Sequence, residues 1–130
     1  MRPLGALAVG LWLVLAGCAR PGGEGAPVKV GSKKFTESVL LGDMAMQLLQ
    51  DTGTRAEHRR EVGGTQVLWQ ALKRGDIDVY PEYDGTLRQE IFAGRALPDS
   101  KALREALAAE GLRMSGSLGF NDTYALGMKE

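Results

Sequence analysis

The sequence predicts an α/β fold, a parallel or mixed sheet flanked by helices. Two observations carry this. Three times along the chain a short extended segment runs through a turn or glycine-bearing loop into a stretch whose start signals or apolar spacing are helical. The 130 residues are 44% hydrophobic and 25% charged, ordinary globular composition with room for one modest domain. Sixteen basic residues balance sixteen acidic ones, which argues against a nucleic-acid tract or a polybasic membrane patch.

Residues 1–18 stand apart from that fold. Arg2 gives a positive start, Leu4 to Val14 is an apolar run too short to span a bilayer as a mature helix, and Ala16-Gly17 precede Cys18, the single cysteine. This resembles a bacterial lipoprotein signal peptide, which implies that Cys18 becomes a lipidated amino terminus anchoring an exported protein to the membrane. The alternative is a plain secretory signal with an incidental cysteine. Residues 19–27, rich in glycine, alanine and proline, read as a flexible tether.

Folded sequence begins at Val28, and residues 28–130 form the expected domain. Val28 to Val30 alternates and breaks at Gly31-Ser32, a first strand. Leu40, Leu41, Met44, Ala45, Leu48 and Leu49 then keep the spacing of one buried helical face, with Thr36 expected as N-cap and Gly53 as the residue just past the end. A second extended segment, Arg55 to Val62, ends at Gly63-Gly64-Thr65. The stripe Val67, Leu68, Ala71 and Leu72 follows, with Trp69 beside it as partial core, and stops at Gly75.

The third unit is the most informative. Ile77 and Val79 alternate with Asp78 and Tyr80, Pro81 ends regular pairing, and Tyr83 falls just past the strand end. Asp84-Gly85 reads as a turn, and Thr86 with Gln89 has capping-box spacing, so a helix is expected from Thr86. Ligands of open α/β proteins gather at the carboxyl ends of strands, where Tyr83 and Thr86 lie. Leu97-Pro98-Asp99-Ser100 starts a further helix with Ala102, Leu103, Ala106, Leu107 and Ala109 buried and Gly111 as its stop. Leu112 to Ser115 is a possible strand. Tyr124 to Met128 looks like a strand entering a core two residues before the end, so the domain is expected to be incomplete.

Enzymatic chemistry finds little support. His58 is the sole histidine, in a polar run from Arg55 to Arg60 that reads as solvated surface, and no cysteine and histidine cluster offers metal ligands. No serine has a nucleophile-elbow context, and no cofactor motif is present. Gly63-Gly64-Thr65 before a helix is a weak anion-binding signal. Tyr83 and Tyr124 carry acidic neighbours, Glu82 and Asp84 for the first and Asp122 for the second. That combination suits a quaternary ammonium, which has no hydrogen-bond donor and must be held by ring faces and nearby negative charge. It also suits tyrosines packed half-buried in loops, the reading that the residues alone favour.

Four runs taken in order, Val28 to Glu37, Gly63 to Thr65, Ala71 to Thr86 and Leu118 to Leu126, resemble the substrate-binding proteins of glycine betaine, choline and related osmoprotectant ABC importers. The Asp78 to Thr86 run is the most specific. The resemblance implies a periplasmic-binding-protein type II lobe, no catalysis, a small quaternary ammonium ligand, and permease subunits as partners at the outer face of the membrane. It implies that Tyr83 and Tyr124 are cage tyrosines, that Thr86 contacts the polar end of the ligand, that Asp122 lies beside the cage, and that Lys33 can reach a carboxylate. Such proteins continue well beyond the length seen here, which is the second reason to expect an incomplete lobe. The open alternatives are a noncatalytic lipoprotein remnant without a ligand and a small-anion-binding lobe using Gly63-Gly64-Thr65.

Overall fold

A computed structural model describes residues 25–121. Strand β1 (Val28–Lys33) pairs in parallel with β2 (Ala56–Gly63). Helix α1 (Thr36–Asp51) crosses between them, and α2 (Thr65–Arg74) leads back from β2. A third extended segment joins β1 on its other side through a parallel bridge between Val30 and Val79. The order across the sheet is therefore β2, β1, third segment, so the chain reverses its direction of travel at β1. After it come a short helix α3 (Asp84–Thr86), a π-helical turn over Leu87–Ile91, and α4 (Ser100–Ala109).

The third segment makes one bridge where a full strand is expected, and three residues explain why. In a continued parallel ladder the Gly31 carbonyl would take an N–H from residue 81, and Pro81 has none. The Lys33 N–H that would come next is donated to Ser38 Oγ at 2.9 Å. At the other end Lys29 N–H goes to the Asp78 carboxylate at 2.7 Å, displacing a backbone acceptor. Ile77 is buried at 2% exposure while Val79 stands 41% exposed, so the two do not share the expected buried face.

Three helices stop alike. At Gly53, Gly75 and Gly111, all at φ between 76° and 81°, the glycine N–H and the next N–H turn back onto the last helical carbonyls, for example Gly75 N to Leu72 O and Asp76 N to Ala71 O. A left-handed backbone closes each end, and glycine adopts it without a Cβ penalty. The starts differ more from expectation. Phe35, not Thr36, is the α1 N-cap, without a side-chain bond. Asp99 does cap α4, accepting Ala102 N–H at 2.8 Å.

Two buried clusters meet along α2. Leu68 and Ala71 pack with Ile77, Val62 and Tyr80 beneath the sheet, while Trp69 turns toward Leu87, Phe92, Leu103, Ala106 and Leu107. The Trp69 and Phe92 rings meet edge to face at 5.8 Å, so Trp69 is full core. On α1 the buried residues are Ser38 and Gly42, and Leu40, Met44 and Leu48 are 57%, 58% and 66% exposed. The helix sets small residues on the sheet, allowing close approach, with Leu41, Ala45 and Leu49 half-buried beside them and Leu40, Met44 and Leu48 turned outward. Leu112 to Ser115 is not a strand. Its Met114 and Ser115 carbonyls accept from the Arg104 guanidinium at 2.6 and 2.7 Å, which straps the segment to α4.

Candidate functional site

The sheet reverses order between β1 and the third segment, and the crevice outside their carboxyl ends is where an open α/β fold places a ligand. Lys33 ends β1, and Pro81, Glu82 and Tyr83 end the third segment. Lys33 is buried, and its Nζ meets Glu82 Oε1 at 2.5 Å with both side chains under a tenth exposed. The same Oε1 accepts the Tyr83 backbone N–H at 2.9 Å. A charge-assisted acceptor thus fixes the backbone at the tyrosine.

Tyr83 is half-buried and caps α3 from an extended conformation, φ −97° and ψ 137°. Its ring meets Phe120 edge to face, centroids 6.4 Å apart. Tyr83, Glu82 and Asp84 line a cleft of about 450 Å³ whose other walls include Trp69, Leu107 and Phe120. Tyr80 lines the same cleft, and burial first and then the Glu82 carboxylate push its phenol well above its ordinary value of 10.0, which keeps that hydroxyl neutral. Tyr80 also packs against the Leu68 cluster.

Thr86 does not begin a helix. It already has helical dihedrals, φ −63° and ψ −44°, inside a turn opened by Tyr83, whose carbonyl accepts Leu87 N–H at 3.0 Å. Asp84 occupies the favourable acidic place in that first turn, so no capping box forms. The helix then widens, Phe92 N–H reaching back five residues to Leu87 O. Neither Thr86 nor Lys33 lines the cleft that Tyr83 lines. Asp122, Tyr124 and Cys18 lie outside the described residues.

His58 is a correction. Its side chain is 2% exposed, with Nδ1 2.7 Å from Asp43 Oδ1 and Nε2 2.9 Å from Ser32 Oγ. Arg60 clamps both Asp43 oxygens at 2.8 and 2.9 Å. Ser32 Oγ also accepts Glu61 N–H at 3.2 Å, where β2 bulges out of register and Glu61 has φ 52°. The row of serine, histidine and aspartate has the connectivity of a catalytic triad, but Ser32 is 0% exposed and no substrate can reach it. The cluster joins β1, α1 and β2. Among the described residues no group of histidine, cysteine or acidic side chains is placed to hold a metal, and no helix is long and apolar enough to cross a membrane.

The residue that sequence reasoning undervalued is Glu82, noted only as an acidic neighbour of Tyr83. Its partner Lys33 is 49 positions away, so nothing local signals the pair.

Comparison with known proteins agrees with this architecture. Residues 26–130 match the family described as the substrate binding domain of ABC-type glycine betaine transport systems. The glycine betaine-binding protein YehZ of Escherichia coli is 40% identical over 83 residues, covering 64% of this chain and 27% of YehZ. EgtU of Helicobacter pylori, an ergothioneine transport permease and binding protein, is 31% identical over 95% of this chain and 22% of its own. The carnitine transport binding protein OpuCC of Listeria monocytogenes is 33% identical over 75% of this chain and 32% of its own. The structure of apo YehZ superposes with a TM-score of 0.56 at 30% identity, over 66% of this chain and 32% of that one. The chain thus spans between a fifth and a third of the length of these relatives, all of them transport binding proteins. It belongs to the family of substrate-binding domains of ABC-type glycine betaine transport systems.

Proposed function

We propose that this chain contributes to binding a trimethylammonium osmoprotectant, such as glycine betaine or choline, for delivery to the permease subunits of an ABC importer. The observation that carries this reading is the placement of Tyr83, held by Glu82 in the crevice where the sheet reverses order. The named ligands of the three relatives, glycine betaine, ergothioneine and carnitine, all carry a trimethylammonium group. Each ring face presented to such a cation contributes about 0.5 to 2 kcal/mol. Tyr83 and Tyr124 supply rings, Asp122 negative charge, and Thr86 a hydroxyl to the polar end, while Lys33 sits at the edge of the same crevice. Export through residues 1–18 with lipidation of Cys18 holds the domain at the outer face of the membrane. Intact-mass analysis of wild type and Cys18→Ser in a bacterial host checks the anchor: an unlipidated wild type contradicts it.

Saturation-transfer NMR tests the ligand class. The methyl protons of choline and glycine betaine receive saturation from the protein, and unlabelled glycine betaine competes it away. Competition by sulfate instead supports an oxyanion site at Gly63-Gly64-Thr65 and contradicts this reading.

A further inference from the structure

The Lys33 and Glu82 pair poses a question of purpose. A buried ion pair contributes little net stability, because desolvating two charges offsets their attraction, and an apolar pair of similar volume often does as well. What an apolar pair lacks is direction. Here one oxygen, Glu82 Oε1, takes both the lysine Nζ at 2.5 Å and the Tyr83 N–H at 2.9 Å. Lys33 is itself fixed at the end of β1, where its N–H is donated to Ser38 Oγ at the start of α1. The bridge supplies what the sheet does not. Pro81 ends backbone pairing between β1 and the third segment, so past that point the two strand ends are joined by this side-chain contact.

We propose that Lys33 is a positioning residue that acts on the ligand through Glu82 and the Tyr83 backbone, rather than by touching the ligand's carboxylate. This rests on Tyr83 being a ligand ring. The lysine charge is met inside the protein, and Lys33 is absent from the walls of the cleft that Glu82 and Tyr83 line. Its Nζ also stands 5.9 Å over the Phe35 ring, which is no wall of that cleft either, so its influence on the Tyr83 ring is traced from Nζ to Oε1 to the amide.

Two ligands separate the alternatives. Glycine betaine has a carboxylate and choline a hydroxyl in its place. Positioning predicts that Lys33→Met weakens both equally, by about tenfold, a mid-range effect for groups in one hydrogen-bond network. Glu82→Gln weakens both similarly, and Lys33→Met combined with Glu82→Gln is no worse than either alone. A loss confined to glycine betaine overturns the proposal, as does full additivity. A second readout needs no ligand. The Tyr83 backbone amide resonance moves in Lys33→Met and in Glu82→Gln, and Lys33→Arg, which keeps the charge, restores it toward wild type. A Tyr83 amide indifferent to Lys33→Met and Glu82→Gln overturns the link. If the wild type binds neither ligand, the functional reading fails, and the amide shifts still decide the positioning role.

Discussion

Gly42 lies in the interior of α1, where replacing glycine by alanine ordinarily stabilises by about 0.5–1 kcal/mol through the unfolded chain. Here the opposite is expected. A Cβ at position 42 would stand 2.4 Å from His58 Nε2 and 2.7 Å from Cε1, so the ring must move by about 1 Å to reach ordinary contact. The ring is not a loose end. Both its nitrogens are bonded, to Asp43 at 2.7 Å and Ser32 at 2.9 Å, and the side chain is 2% exposed. Overpacking of this kind costs about 1–3 kcal/mol. One lost hydrogen bond adds about 0.5–1.5 kcal/mol. Set against the helix gain, Gly42→Ala destabilises by about 2 kcal/mol. Urea unfolding followed by circular dichroism measures this directly. In a His58→Ala background the clash is gone, and the same change becomes stabilising by about 0.5–1 kcal/mol. A Gly42→Ala protein as stable as wild type, or no change of sign in the second background, refutes the reasoning.

Two further predictions follow from burial and charge. Leu103 is fully buried between α2 and the π-turn region, so Leu103→Ala costs about 2–5 kcal/mol, whereas Leu48→Ala, at a site 66% exposed, stays within about 0.5 kcal/mol in the same melts. The hydrogen bond from His58, and then Arg60, hold the Asp43 carboxyl below its ordinary 3.8, so its stabilising contribution is full above that pH and is lost as pH falls through the lower folded value. The stability gap between wild type and Asp43→Asn therefore narrows as pH falls below the carboxyl's ordinary 3.8; a gap independent of pH contradicts the assignment.

Local grammar made most of the frame legible. Gly53, Gly75 and Gly111 each end a helix where a left-handed residue is needed, and Asp99 caps α4, because caps depend on neighbours within one turn. Features that depend on distant partners were not legible. Pro81 signals a strand end, but only the register with Gly31 shows that it removes the next rung and leaves a single bridge. Of the expected α1 stripe Leu41, Ala45 and Leu49 are half-buried while Leu40, Met44 and Leu48 face outward, because the helix is apolar nearly all round and the closest approach fell to Ser38 and Gly42, whose small size admits the sheet and the His58 ring. His58 looked solvated among charged neighbours, since its partners Ser32 and Asp43 come from two other elements. Tyr83 does lie just past the end of the third extended segment, although that segment makes a single bridge and no full strand. The Thr86 spacing misled because Asp84 had already opened the turn.

The central claim is that Tyr83 contacts a trimethylammonium ligand. The most direct measurement is an NMR titration of the protein with choline, comparing wild type with Tyr83→Ala. One or two rings at about 0.5–2 kcal/mol each do not offset the several kcal/mol lost on immobilising a ligand without further contacts, so the expected affinity is no tighter than about millimolar, near 4 kcal/mol. The account predicts saturable shifts of the Tyr83 ring and amide in wild type and their loss, with weakened binding, in Tyr83→Ala. Choline binding that Tyr83→Ala leaves unchanged contradicts it.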